Sequence, residues 1–172
     1  LGMADVQLPG ETVVIGDRRN RRIAGERPDY VYDEVLPASY WDPTARREQI
    51  RAMGFDEAML FPNFGLLWER RLSESLPALQ ANMGAWNRWC GTVVSDGKGT
   101  LHPVAHLTLR DLDWLDTQLA ELDAADVHFA MIAPALVNGK PLSHPDHDRA
   151  WASFAEHGVA PVVVIVAELD AV

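Results

Sequence analysis

The sequence predicts an α/β protein built on a mostly parallel sheet. Three observations predict it. From Trp41 onward, apolar β-type runs alternate with segments of helical period; the runs lack polar alternation; and two of the four stop at proline, at Pro62 and Pro134. Parallel neighbours need a long return connection, usually a helix crossing in the right-handed sense. Strands covered on both faces read as continuous apolar runs, which these do.

Residues 1–40 form a hairpin and loop extension in this reading. Thr12-Val13-Val14-Ile15 is a short β-type run, Gly16-Asp17 a turn, and Arg18 to Arg22 a basic stretch ending at Ile23, a hairpin pattern. Arg18, Arg19, Arg21 and Arg22 either face solvent or grip a phosphate or carboxylate. Glu26 to Trp41 reads as an ordered loop.

Residues 41–172 carry the β/α repeat. Asp42-Pro43 opens a helix, since the aspartate accepts from free backbone N–H groups and proline suits the first helical position. That helix runs to about Met53, with Ala45, Ile50 and Met53 near one face, and Gly54 stops it. Ala58 to Phe61 is a strand. Ser73 to about Ser95 is a long helix with Leu76, Leu79, Met83, Trp86, Trp89, Cys90 and Val93 at helical spacing. Pro77 requires that its helical hydrogen bonding begin nearby. Pro103 to Leu107 is the second strand, and Asp111 caps a helix with a leucine stripe at Leu112, Leu115, Leu119 and Leu122. Val127 to Ala133 is the third strand. Pro145-Asp146 opens a helix that closes at His157-Gly158, and Pro161 to Val166 is the fourth strand. A closed eight-stranded β/α barrel takes about 250 residues. Four core strands make either an open sheet or part of a barrel.

Composition narrows the functional classes. The chain has 172 residues, 25 acidic against 15 basic, for a net charge of −10. That balance disfavours nucleic acid, whose binding relies on cations neutralising phosphates. The apolar run from Val159 to Ala167 is too short to span a bilayer. A single cysteine, Cys90, makes no internal disulfide and fits a reducing, cytoplasmic setting. Glycine-rich phosphate loops and the GxSxG nucleophile elbow are absent.

Function in parallel α/β folds sits at the carboxyl ends of the strands. Phe61, Asn63 and Phe64 follow the first strand and are candidate substrate contacts, with Asn63 supplying a directional amide. Trp68 is placed to cover the mouth. His106 lies late in the second strand, as a pocket residue or a hydrogen-bonded core histidine. His102 and His106, four residues apart on a strand, stand about 13 Å apart and do not share one ion. Asn138 follows the third strand, but Asn138-Gly139 is also a turn pair. Cys90 reads as core. In His144-Pro145-Asp146-His147-Asp148 the simpler reading is a helix start, with Asp146 as the cap or first-turn acid.

Several segments taken together resemble a known family. They are Trp41-Asp42-Pro43 with Arg46, Met53-Gly54 with Asp56, Leu60 to Leu66, Asn87-Arg88-Trp89, His102 to Ala105, Pro134 to Leu142, and His144 to Asp148 with Trp151. In this order they resemble the amidohydrolase-related family that includes the aminocarboxymuconate semialdehyde decarboxylases. The resemblance implies a (β/α)8 TIM barrel with a divalent metal, commonly zinc, in its mouth, and metal-dependent hydrolysis or decarboxylation of a small carboxylated or cyclic substrate. It also implies ligands from an HxH pair on the first barrel strand, a mid-barrel histidine and a late aspartate. No HxH occurs here, and Val163, Val164 and Ile165 stand where the mid-barrel histidine belongs. The expectation is therefore a partial barrel of about four β/α units, a piece of a longer enzyme, with no metal held by this chain alone and no turnover from it. The alternative is a non-catalytic α/β module that binds an anion. Either way self-association is expected, because half a barrel leaves strand edges unpaired.

Overall fold

The computed structural model describes residues 37–62, 65 and 68–164. The expected hairpin and its arginines, Asn63, Phe64 and the tail from 165 lie outside the described residues. A 3-10 turn at Ala38–Tyr40 leads into α1 (Pro43–Ala52). There follow β1 (Ala58–Leu60), α2 (Trp68–Arg71), α3 (Leu76–Gly97), β2 (Leu101–His106), α4 (Leu112–Ala124) and β3 (Phe129–Ile132). A 3-10 turn at Pro145–His147, α5 (Asp148–Glu156) and β4 (Ala160–Val163) complete the described residues.

All three strand pairings are parallel and the spatial order is β1-β2-β3-β4. That order matters. Right-handed crossovers that always step in one direction put successive helices on one face of the sheet, as in a barrel wall, whereas a doubly wound sheet reverses direction. The sheet is not closed.

The helix boundaries follow from their caps. Asp42 accepts from the Thr44 N–H at 3.0 Å, with Pro43 first in the helix. Ser75 caps α3 through the Ala78 N–H, so Pro77 falls in the first turn, where its missing N–H costs nothing. Lys98, in the left-handed region at φ 47°, ends that helix. Asp111 accepts from the N–H groups of Asp113 and Trp114, both at 3.1 Å, and these contacts, led by Trp114, hold its carboxyl below the usual range.

The structure refines several expectations. Of the two roles offered for Asp146, it takes the first-turn acid: His144 Nδ1 accepts from the Asp146 N–H at 3.2 Å and is the cap, while the Asp146 carboxylate pairs with Lys140. The stretch after Pro145 is first a 3-10 turn, and only then α5. Coverage on both faces holds for β2 and β3 but not for β1 and β4, where Met59, Pro161 and Val163 are exposed. An open sheet has two edge strands, and an apolar run does not reveal which strands they are. On α1 no residue is buried completely and Met53 is exposed, and on α3 Trp89, placed in the helical stripe, is exposed as well.

The core lies between the sheet and α3, α4 and α5. Ala105, Leu107, Ala130 and Ile132 meet Cys90, Leu115, Leu119, Leu122, Ala150 and Phe154, all buried. The leucine stripe is core, as its spacing predicts, although Leu112 is only partly buried. Cys90 is fully buried, and burial pushes its thiol up to about 12, so it is inert packing. Where α3 turns into β2, Gly97 permits close passage: a Cβ there would stand 2.8 Å from the Leu101 Cβ.

Candidate functional site

Side chains alternate along a strand, so His102, Val104 and His106 point away from the face that carries Leu101, Pro103 and Ala105. His106 is the last residue of β2 and is 1% exposed. Its backbone is fixed by a helix where a strand would otherwise stand. β1 pairs with β2 only as far as Pro103. Beyond that point α3 supplies the partners. Trp86 Nε1 donates to the Val104 carbonyl at 2.9 Å, the Asn87 carboxamide donates to the His106 carbonyl at 3.1 Å, and it accepts from the His106 N–H at 2.8 Å. Asn87 also donates to Gln118 Oε1 at 2.9 Å, which ties α4 to the same point.

The side chain of His106 is treated differently. Both ring nitrogens are buried and have no hydrogen-bond partner among the described residues. Trp68 lies across the ring, centroids 5.7 Å apart and planes 11° from parallel. Burial drives the imidazole pKa down to about 4, so it is neutral at pH 7, offering one N–H donor and one bare nitrogen. Leaving a buried polar atom unpaired costs about 1–3 kcal/mol. An aliphatic residue would fill this volume without that cost, so the histidine is a feature that packing does not explain.

Beside this ring stand three further groups. Glu69 follows Trp68 on α2, and burial raises its carboxyl pKa, offset in part by the Thr108 hydroxyl and then the Arg110 guanidinium next to it. Thr108 is 1% exposed, and its hydroxyl accepts from the Arg110 N–H at 3.3 Å. The end of β2 and the turn after it thus carry a neutral imidazole stacked on Trp68 and, close by in the chain, a hydroxyl and a guanidinium that act on the Glu69 carboxyl.

The other expected contacts fall elsewhere. Phe61 is 44% exposed and lines a groove of about 190 Å³ with Tyr40, Trp41, Trp86 and Trp89, on the flank of β1. Asn138 and Gly139, at φ 50° and 77°, form a tight turn closed by reciprocal bonds between Val137 and Lys140 at 2.9 and 3.0 Å. This conformation accounts for the Asn-Gly pair by itself. His102 Nε2 meets Glu57 Oε2 at 2.9 Å near the opposite end of the strand. His128 and His157 pair with Asp126 and Asp123. His147 is buried with Nε2 unpartnered, its ring edge-on to His144 at 6.4 Å. Sequence reasoning missed Glu69, because a one-turn helix carries no periodicity to reveal it.

The metal implied by the resemblance requires several convergent ligands. Among the described residues no group of three or more His, Cys, Asp or Glu side chains converges. His106 is a lone imidazole, so the described residues do not fit a catalytic zinc, and no reaction step is derived through one.

Comparison with known proteins places the fold. No family model matches the sequence, and no curated protein does. Solved structures do match. One is an amidohydrolase from Mycobacterium avium subsp. paratuberculosis K-10, 22% identical with a TM-score of 0.67, the match covering 95% of this chain and 51% of that one. The chain therefore spans about half the length of that amidohydrolase. At this identity the likeness is one of fold: four parallel β/α units arranged like part of an amidohydrolase barrel. No helix of the described residues is long and apolar enough to cross a membrane.

Proposed function

We propose that this chain forms half of a metal-dependent amidohydrolase-type barrel acting on a small carboxylated or cyclic molecule by hydrolysis or decarboxylation. Its part in that barrel is a wall of the substrate pocket, and the metal ligands come from the other half. One observation carries the reading. The carboxyl end of a central strand, where such barrels bind substrate, holds a buried histidine with two unpartnered nitrogens and polar neighbours. The fold likeness to half of an amidohydrolase supports the setting.

The test is direct. The purified 172-residue chain, with and without added zinc, is assayed for zinc content, CO2 release from carboxylated substrates and hydrolysis of cyclic amides. The reading expects substoichiometric zinc and no turnover. A tightly held stoichiometric zinc, lost on His106→Ala or His144→Ala, would show that this half carries the metal centre and would refute the division of labour.

A second reading, a non-catalytic module that self-associates, is favoured by the exposed apolar residues of the outer strands, Met59 at 45% and Val163 at 53%. Light scattering of the isolated chain tests the self-association that both readings expect. A stable dimer that keeps no enzymatic activity when assembled into a complete barrel supports the module.

A further inference from the structure

Three features single out Trp68 as the cover of His106. His106 is 1% exposed, yet neither ring nitrogen has a partner. Its cover is held by a helix of only four residues, too short to be stable by its own hydrogen bonding. The approach to that helix is cut close: a Cβ on Gly65 would stand 2.7 Å from Pro62 Cβ and 3.4 Å from the Trp68 ring. A one-turn helix of this kind opens locally at low cost, and its opening would expose the imidazole.

We infer that Trp68 is a displaceable cover, and that the space beneath it binds a small oxyanion, a carboxylate or a phosphate, through His106, Thr108 and Arg110. The inference rests on the reading of this strand end as a pocket wall. Thr108 lies two residues beyond His106, just past the end of β2, and Arg110 follows on the turn bonded to Thr108. An imidazole N–H, a hydroxyl and a guanidinium together present donors, the complement of an oxyanion. Glu69 supports the assignment. Its carboxyl already lies beside Thr108 and Arg110, so the protein's own oxyanion stands where the ligand's would. Because Glu69 adjoins Trp68, lifting the cover withdraws that carboxyl, and one oxyanion replaces another.

The experiment is carbethoxylation of histidines in the whole 172-residue chain at pH 6 to 7, read residue by residue by mass spectrometry. His128, with a side chain 56% exposed, is the internal reference. We expect His106 to react about tenfold or more slowly than His128, and Trp68→Ala to remove most of that protection. In Trp68→Ala, inorganic phosphate or benzoate should restore protection, and should fail to do so once Arg110→Ala is added. Protection by one probe and not the other identifies the ligand type. If Trp68→Ala does not fold, Trp68→Leu, which shortens the cover but keeps an apolar side chain, takes its place. The inference is overturned if His106 stays protected in a folded variant of either kind, or if it opens but neither anion slows its labelling. Failure of the enzymatic reading would show in zinc content and turnover, which this labelling does not measure.

Discussion

Asn87→Ala should be among the most damaging single substitutions outside the apolar core. The side chain is 5% exposed and makes three hydrogen bonds, at 2.8, 3.1 and 2.9 Å, that join α3 to the end of β2 and to α4. Truncation leaves the His106 N–H and carbonyl buried without partners, because β1 has already ended on that side. At about 1–3 kcal/mol per buried orphan, two main-chain groups cost about 4 kcal/mol. Gln118 softens its own loss, since its Nε2 still donates to Glu121 at 2.7 Å. Asn87→Asp keeps the acceptor for the His106 N–H but turns a carboxylate oxygen toward two carbonyl oxygens, so it should be no better. Urea unfolding measures the effect as a lower midpoint at unchanged slope, with a fall in Tm of about 8–16 °C for a chain of this size. A loss below about 1 kcal/mol for Asn87→Ala would mean that water substitutes for the carboxamide, and the account of α3 as a stand-in strand would fail.

Other predictions follow from the same contacts. His106→Leu should stabilise the fold by about 1–2 kcal/mol in urea, since it removes two unpaired polar atoms from a buried volume; a loss of stability would mean that the ring is hydrogen-bonded after all. The His106 pKa is about 4 in the folded chain against an ordinary 6.5, so the folded state resists a proton that the unfolded chain accepts. Its contribution is complete above pH 6.5 and disappears as pH falls toward 4, by about 3 kcal/mol in all. Glu69, shifted upward, acts in the opposite sense, so the profile is compared with that of His106→Leu, which should lack the fall between these pH values. Gly97→Ala should cost about 1–3 kcal/mol through its clash with Leu101. Gly84→Ala, whose Cβ would approach nothing closer than 3.5 Å, should gain about 0.5–1 kcal/mol from a better helix former. Thermal melts of these two variants, moving in opposite directions, check the packing of α3.

Most of the architecture was legible because it depends on local signals. Asp42, Ser75 and Asp111 mark helix starts by chemistry that needs no tertiary partner, and all but Ser75 were read as such. The leucine stripe of α4 and the alternation of runs sufficed for parallel order. Errors arose where a neighbour decides. Pro103 sits inside β2 rather than opening it, because the partner strand β1 pairs from Leu101 onward and its register sets where the strand begins. Exposure of β1 and β4 depends on which strands stand outermost, information that no single run contains. Between cap and first-turn acid for Asp146 a neighbour also decides: Lys140, folded back by the Asn138-Gly139 turn, pairs with the carboxylate, and His144 is the cap.

The site was legible only by position, for a physical reason. A strand end is recognisable in sequence, and so His106, Phe61 and Asn138 were nominated by the same rule. What separates them is the direction and company of each side chain. Phe61 emerges one residue beyond β1, and the aromatic groove beside Trp86 and Trp89 gathers it to the flank. Asn138 lies six residues beyond Ile132, where the chain is already turning on itself in the left-handed region. His106 alone is still within its strand, so the pleat fixes its direction and Asn87 fixes its backbone. The same carboxamide that replaces a missing strand neighbour therefore also sets the imidazole beneath Trp68. Stability and the candidate site meet in that one residue, which is why substituting Asn87 should disturb both, whereas substituting Trp68 on its single helical turn should disturb only the second.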